Sequence, residues 1–215
     1  MPYQISEQLI KFNRSGQSLS PQGFVIHSTD TPNATAQNEH DYFNSGNRQA
    51  SAHYFVDSSS IIRCIPENEV AWHAGTTANH RFLSVEMCDV ESFQEVWNRT
   101  VWLVADACVR YGWTTGPNVY SHRGISAMYK ETDHTDPIQF LANHGKTWDQ
   151  LLAAIDSEIE NVKKGVVKVA EAETPKKIIA PDDIYLSVRV RESLADQAIL
   201  DINKLGFAAK KMDLA

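Results

Sequence analysis

The sequence predicts an α/β fold, in which a central mixed β-sheet is flanked by helices and a small β-α-β unit follows at the C-terminal end. Short apolar segments that end in polar turns alternate along the chain with longer segments whose apolar residues repeat at helical spacing. The length of 215 residues suits one domain of ordinary size and an appendage, or two small domains. Hydrophobic residues make up 42% of the chain, which is enough for a packed core.

Five segments have the apolar character of β-strands. Residues 23–27 read GFVIH and are followed by the polar turn STDTP. Residues 52–57 and 61–65 are separated by three serines, which predicts a hairpin. Residues 82–88 and 118–122 predict two further strands.

Three segments predict helices. Residues 35–45 form a short polar segment that ends before a glycine. Residues 95–111 place apolar side chains on one helical face and are followed by Gly112, a common residue after a helix end. Residues 147–163 carry the clearest apolar stripe, and Gly165 predicts where this helix ends.

The C-terminal quarter has a different character from the rest of the chain. Residues 166–183 lack periodicity and contain two prolines, so we interpret them as a linker after a domain of residues 1–165. Residues 184–215 predict a strand, a helix and a second strand. Units below roughly 40 residues seldom fold alone. This unit should therefore dock on the main domain or pair with its counterpart in another chain, which would make a homo-oligomer.

Composition excludes several classes of partner and compartment. The net charge of −7 argues against general binding to nucleic acid. No segment approaches the roughly 20 apolar residues of a membrane span, and the N-terminus lacks the apolar run of a signal peptide. The three cysteines, Cys64, Cys88 and Cys108, are predicted to be reduced and mostly buried, as in a protein that folds in a cytosol.

Histidines at the ends of two predicted strands could bring metal ligands together. His27 ends the strand at 23–27, His122 ends the strand at 118–122, and the polar run DHTD follows at 133–136. Two imidazoles and one carboxylate leave a fourth tetrahedral position open to water, as in catalytic zinc sites. Glu86 lies in an otherwise apolar strand and is the candidate general base. Histidines at strand ends are common, so this pattern alone does not identify a metal site.

Several motifs together resemble the type 2 N-acetylmuramoyl-L-alanine amidases, zinc enzymes that share a fold with the peptidoglycan recognition proteins. The resemblance runs in order over residues 20–160 and is strongest to the endolysins of phages that infect Gram-positive bacteria. The motifs are VIHST at 25–29, SAHYFVD at 51–57, AWHAG at 71–75 with Asn79, SVEMC at 84–88, and SH at 121–122 with HTDP at 134–137.

The resemblance implies a Zn²⁺ ion bound by His27, His122 and Asp136, with Glu86 as the general base. Members of the family often have a lysine two residues before the third ligand, where it stabilises the developing oxyanion. That position here holds His134, which implies that its imidazole serves as the oxyanion donor. His134 could instead replace Asp136 as the third zinc ligand.

Three further residues have more than one interpretation. His73 could line a substrate groove or simply pack on Trp72, and Asn79 could form a hydrogen bond to substrate in the same groove. His53 stands beside Tyr54 in a predicted strand, which favours a buried, hydrogen-bonded structural role over a role as a ligand.

The activity that the resemblance implies is hydrolysis of the amide between the lactyl group of N-acetylmuramic acid and the L-alanine of the stem peptide, in a zinc groove at one edge of the sheet. An endolysin would be made in the host bacterial cytoplasm without a signal peptide and would act on the cell wall after release. Residues 184–215 could help to hold it on the wall. Two other functions stay open, a peptidoglycan-binding module of the same fold that does not cut, and a zinc hydrolase of another amide.

Overall fold

The computed structural model describes residues 2–172, with side chains as far as residue 165, and in that range a six-stranded mixed β-sheet forms the centre of the fold. The strands lie side by side in the order β1-β4-β3-β5-β2-β6. Among them β3 and β4 pair antiparallel and the other neighbours pair parallel. Along the chain they are β1 (Ile5–Glu7), β2 (Phe24–Ser28), β3 (Tyr54–Val56), β4 (Ile61–Arg63), β5 (Leu83–Met87) and β6 (Val119–Ser121).

Helices connect and flank these strands. They are α1 (Ala36–Phe43), α2 (Thr76–Asn79), α3 (Phe93–Tyr111), α4 (Thr115–Asn118), α5 (His122–Tyr129), α6 (Ile138–Asn143) and α7 (Trp148–Ala172). Residues Met1–Glu160 form one compact unit, which contains the whole described sheet. A second unit begins at Asn161, and its described part is the end of α7.

The core of the first unit explains why its central strands are apolar without interruption. Every residue of β2 is buried, as is usual for a parallel strand that is covered on both faces. The long helix α3 packs against β3 and β5 and buries Leu103, Val104 and Cys108 completely or almost so. The resulting sheet is a rigid base for the side chains at its strand ends.

The α/β fold with a central mixed sheet is confirmed. Each of the five predicted strands and three predicted helices has a counterpart, and the predicted hairpin is the β3–β4 pair. Asp57 holds its turn, because Oδ1 accepts hydrogen bonds of 2.7 Å from the backbone N–H groups of Ser59 and Ser60. The three cysteines are free and buried, as predicted, and burial raises the pKa of the Cys64 thiol to about 12.

The structure adds strand β1 and the short helices α2, α4, α5 and α6, none of which the sequence predicts. Strand β1 was not predicted, because its three half-buried or exposed residues have no apolar pattern. His122 does not end a strand but begins helix α5. Ser121 provides the N-cap, since its Oγ accepts a hydrogen bond of 3.0 Å from the backbone N–H of Gly124.

The last helix is longer than the sequence predicts. Helix α7 was expected to end at Gly165 and continues to Ala172, so the beginning of the predicted linker at 166–183 is helical. A single glycine costs a helix only about 1 kcal/mol, and residues 166–172 contain no proline to stop it. The rest of the linker and the predicted unit at 184–215 lie outside the described residues, and their roles stay predictions.

Within residues 2–172, none of the helices has both the length and the apolar character that crossing a lipid bilayer requires.

Candidate metal centre

The register of three neighbouring parallel strands aligns the candidate residues. His27, the fourth residue of β2, pairs with Glu86 of β5. On the other side of β2, Ile26 pairs with Ser121, the last residue of β6. His27 follows Ile26 and His122 follows Ser121 in the sequence. Residues from three distant parts of the sequence therefore meet at the carboxyl ends of β5, β2 and β6.

Asp136 reaches this row from the loop between α5 and α6. The backbone carbonyl of Asp136 accepts a hydrogen bond of 3.1 Å from the N–H of Arg123 in α5. Its carboxylate lies between the two imidazoles, with Oδ2 3.0 Å from His27 Nδ1 and Oδ1 3.1 Å from His122 Nδ1. The Nδ1 atoms of both histidines thus face one point.

The donor set fits a zinc ion. The potential ligand atoms of His27, His122 and Asp136 all lie within 4.8 Å of one another, and both histidines are buried. Two imidazole nitrogens and one carboxylate oxygen are donors that Zn²⁺ prefers, and three protein ligands leave a position for a reacting group. The geometry gathers the three residues that the family resemblance implies.

The electrostatics of this cluster favour a cation. Burial opposes ionisation of Asp136, but hydrogen bonds from His122 and His27 outweigh it and hold the pKa of Asp136 well below its usual range. Burial lowers the pKa of His27, so its imidazole tends to be neutral and to keep a lone pair for a ligand. A carboxylate and a neutral imidazole are the protonation states that bind metal.

Glu86 stands beside the cluster with unused hydrogen-bonding capacity. Its Oε2 is buried and has no hydrogen-bond partner among the described residues. Burial, and then the negative charges of Asp136, Glu39 and Asp30, raise the pKa of Glu86 well above its usual range. A carboxylate in this state takes up a proton readily, which is the property that a general base requires.

His134 lies next to the cluster rather than in it. Its ring stacks on that of His122 with 4.6 Å between centroids, and its side chain is 63% exposed. Its Nδ1 is 3.7 Å from Asp136 Oδ1. Asp136 is therefore the carboxylate that joins the two buried histidines, and His134 is placed to contact a ligand from the solvent side.

A cavity of about 720 Å³ opens beside these residues. It brings His73 and Asn79, which the sequence suggested for a substrate groove, to the same wall as His122 and His134. The remaining lining residues are Asn47, Gln49, Ala50, Trp72, Ala74, Gly75, Thr76 and Thr132. This is the opening through which a substrate could reach the metal cluster.

Both ring nitrogens of His73 and the side-chain oxygen of Asn79 are nevertheless engaged within the protein. Asn79 Oδ1 accepts hydrogen bonds of 2.8 Å from the backbone N–H groups of both His73 and Ala74. The ring nitrogens of His73 lie 3.1 Å from His27 Nε2 and 3.2 Å from the carbonyl oxygen of Phe82. Burial, and then the neighbouring His27 and His53, lower the pKa of His73 well below its usual value.

Two other residues complete the surroundings. His53 is fully buried, with ring contacts of 3.0 Å to Ser84 Oγ and to the carbonyl oxygen of Glu69, which confirms its structural role. Thr132 was missed, although its Oγ1 lies 3.1 Å from His122 Nε2. It stands in the polar run before His134, where no periodicity distinguishes one residue from the next.

The chain is similar in sequence to proteins of a known family. The family model described as Amidase_2, N-acetylmuramoyl-L-alanine amidase, matches residues 17–139. The N-acetylmuramoyl-L-alanine amidase CwlL of Bacillus licheniformis is 42% identical over 126 residues, which are 49% of this chain and 35% of that protein. The chain spans about a third or less of the length of the curated relatives that it matches.

Two solved structures share the fold. The hydrolase AmiA of Staphylococcus aureus, crystallised with its ligand, superposes with a TM-score of 0.69 at 25% identity, over 77% of this chain and 87% of that chain. A mutant endolysin from Bacillus subtilis gives a TM-score of 0.62 at 23% identity, over 72% and 99% of the two chains. The sheet and its flanking helices therefore have the same fold as these two solved structures.

Proposed function

The chain belongs to the Amidase_2 family of N-acetylmuramoyl-L-alanine amidases, and on that premise we propose that it is a zinc-dependent hydrolase of bacterial peptidoglycan. The bond it cuts is the amide between the lactyl group of N-acetylmuramic acid and the L-alanine of the stem peptide. The observation that carries the proposal is the convergence of His27, His122 and Asp136 next to Glu86 at the ends of three parallel strands.

Each residue has a distinct part in this reaction. His27, His122 and Asp136 hold the zinc ion, which when bound polarises the scissile carbonyl and increases the acidity of water. Glu86 accepts the proton of the attacking water and passes it to the nitrogen of the leaving L-alanine. The imidazole of His134 donates a hydrogen bond to the oxygen on which negative charge develops.

The free carboxylate of Glu86 and the exposed ring of His134 support these assignments. Glu86 Oε2 has no hydrogen-bond partner among the described residues, so its lone pairs are available to a water. His134 is mostly exposed at the wall of the cavity, where it can approach a bound carbonyl group. A module that only binds peptidoglycan needs neither a ligand set of this kind nor a base beside it, so the observations favour an enzyme.

Digestion of purified peptidoglycan tests the proposal. The zinc-loaded protein should release new amino groups, those of L-alanine, without new reducing sugars. Glu86→Gln provides a matched control, because it keeps the size of the side chain and removes the base. New reducing ends would indicate a glycosidase. Hydrolysis of simple amides without new amino groups on the L-alanine of peptidoglycan would favour a zinc hydrolase of another amide.

We also propose that the protein acts as an endolysin, folding in a bacterial cytoplasm and reaching the wall after release. Its three buried, free cysteines support folding in a reducing compartment. Bacteria that express it should stay intact until their membrane is permeabilised from outside and should then lyse, whereas cells that express Glu86→Gln should not. Lysis without permeabilisation would contradict this part of the proposal.

A further inference from the structure

His73 connects a proposed zinc ligand to the backbone through its two ring nitrogens. Its Nδ1 lies 3.1 Å from Nε2 of His27, and its Nε2 lies 3.2 Å from the carbonyl oxygen of Phe82. The two rings cross at 85°, with 5.2 Å between their centroids. The contacts therefore run in one chain from Asp136 through the rings of His27 and His73 to the backbone carbonyl group of Phe82.

The carbonyl group determines where the protons of this series lie. A carbonyl oxygen can only accept, so Nε2 of His73 carries the proton that is donated to Phe82. In a neutral imidazole Nδ1 of His73 then has a lone pair, which accepts a hydrogen bond from the Nε2–H group of His27. Nδ1 of His27 is consequently the nitrogen whose lone pair would bind zinc. Without the ion, the same Nδ1 lies 3.0 Å from Oδ2 of Asp136 and donates to that carboxylate only when it too is protonated. If the proton of His73 were on Nδ1 instead, the lone pair on its Nε2 would face the lone pairs of the Phe82 carbonyl oxygen.

We propose that His73 is a positioning residue, which holds His27 in the tautomer and ring orientation that allow Nδ1 to bind zinc. This inference rests on the proposed function, since it assumes that His27 is a zinc ligand. It also replaces the expectation that His73 binds substrate, because both of its ring nitrogens are committed within the protein. Partners of this kind commonly change metal affinity by about 10- to 100-fold.

Asn79 supports His73 from the backbone side. Its side-chain carbonyl accepts the N–H groups of His73 and Ala74, both at 2.8 Å, and the residue is only 9% exposed. The loop that carries His73 is thereby fixed against helix α2, which begins just after Gly75 and contains Asn79. Asn79 thus holds the backbone of His73 in place, and the ring of His73 in turn orients the ring of His27.

The tautomer of His122, the second proposed histidine ligand, is less strictly determined by its neighbours. Nε2 of His122 lies 3.1 Å from Thr132 Oγ1, which is 2.7 Å from Ser126 Oγ. A hydroxyl group both donates and accepts, so this contact is compatible with either tautomer of His122. The imidazole of His73, anchored on a carbonyl group, imposes one direction, and loss of His73 should therefore weaken zinc binding more than loss of the Thr132 hydroxyl.

Zinc affinity of the full-length protein, measured by competition with a chelator, tests this inference. His73→Phe keeps a ring and removes the acceptor, and it should weaken zinc binding by about 10- to 100-fold. His73→Asn restores an acceptor and a donor and should recover part of that loss. Thr132→Val is the matched control at the other ligand and should have a smaller effect than His73→Phe. Equal zinc affinity in His73→Phe and the parent would overturn the inference, as would a raised KM for peptidoglycan at unchanged zinc affinity.

A measurement on the parent protein remains decisive if a variant does not fold. Nitrogen-15 NMR of the histidine rings should find the proton of His73 on Nε2 and an unprotonated, hydrogen-bonded Nδ1. A proton on Nδ1 of His73 would contradict the inference. The outcome is separable from the proposed function: a parent that binds no zinc refutes that function, whereas a zinc-loaded, active parent whose His73→Phe variant binds zinc equally well refutes only the role of His73.

Discussion

Glu86 and His27 lie directly opposite each other in adjacent parallel strands, so the proposed base and a proposed metal ligand project from the same face of the sheet. This pairing is fixed by the backbone hydrogen bonds of β2 and β5 and not by a flexible loop. A change at Glu86 should therefore affect the chemistry without moving the ligand.

Glu86→Gln should lower turnover by about 10²- to 10⁴-fold, the usual contribution of general acid–base catalysis. It should retain zinc, because Glu86 is not a proposed ligand. Since burial raises the pKa of Glu86, the neutral amide should also leave the metal-free protein at least as stable as the parent. Steady-state kinetics, zinc content and denaturant unfolding provide the three measurements.

Glu39→Gln is the matched control for that experiment. Glu39 is another buried carboxylate with an oxygen that lacks a hydrogen-bond partner, but it lies on α1 and is not among the three clustered ligands. Its substitution should leave turnover within a few-fold of the parent. An equal loss in both variants would show that general electrostatics, and not proton transfer at Glu86, determines the rate.

Asp136 and His134 should respond differently to truncation. Asp136→Ala should lose zinc, because it removes the carboxylate that lies between the two buried imidazoles. His134→Ala should keep most of the zinc and lose about 10²- to 10³-fold in turnover, as removal of an oxyanion donor does. Zinc content per chain after dialysis distinguishes them, and a His134→Ala variant without zinc would identify His134 as the third ligand.

The stability of the metal-free protein should decrease as the pH falls from about 6.5 to about 4. Burial lowers the pKa of His53 to about 4 and also lowers the pKa of His27 and His73. Between these pH values the three histidines bind protons in the unfolded chain and exclude them in the folded chain, so their titration favours unfolding on acidification. The raised pKa of Glu86 acts in the opposite direction, but it is one group against three. His53 alone contributes on the order of 3 kcal/mol over this range, at about 1.4 kcal/mol per pKa unit.

Denaturant unfolding in a chelator, at several pH values, measures this dependence. His53→Gln removes one of the titrating groups and should make the free energy of unfolding less dependent on pH. If the free energy of unfolding depended on pH equally in His53→Gln and in the parent, His53 would not be the source of that dependence.

Arg110 should matter for stability and not for activity. It donates two hydrogen bonds of 2.7 Å to Glu67 and one of 2.7 Å to Asp106, and these residues are largely buried. Arg110→Met should destabilise the protein by about 3–5 kcal/mol, because it leaves the buried charge of Glu67 without its cation. On the same helix, Arg99→Met removes a pair with the half-exposed Glu95 and should cost about 1 kcal/mol or less. Equal losses of stability in Arg110→Met and Arg99→Met would show that burial of the ion pair does not determine its contribution.

The parts of the site that sequence could predict are those set by strand order and motif. His27 and Glu86 lie in apolar strands, whose paired register follows from a parallel sheet, and Asp136 belongs to a motif with a family resemblance. His122 was assigned to a strand because its preceding residues are apolar, and the N-cap hydrogen bond from Gly124 to Ser121 that begins α5 has no apolar signature.

The supporting contacts could not be predicted in the same way. Whether His73 contacts His27 depends on the direction of a side chain in a loop, which no periodicity specifies. The same holds for Thr132 beside His122. The helical continuation of α7 beyond Gly165 was missed because a glycine near a helix end is a frequent but not an obligatory stop.

A crystal structure of the zinc-loaded protein with anomalous data at the zinc edge would locate the ion and its ligands. We expect one peak, at about 2.0–2.2 Å from Nδ1 of His27, Nδ1 of His122 and a carboxylate oxygen of Asp136. The proposed ligand set would be wrong if the peak were bound by His134 in place of Asp136, or if there were no peak in crystals of protein that still frees the L-alanine amino groups of peptidoglycan.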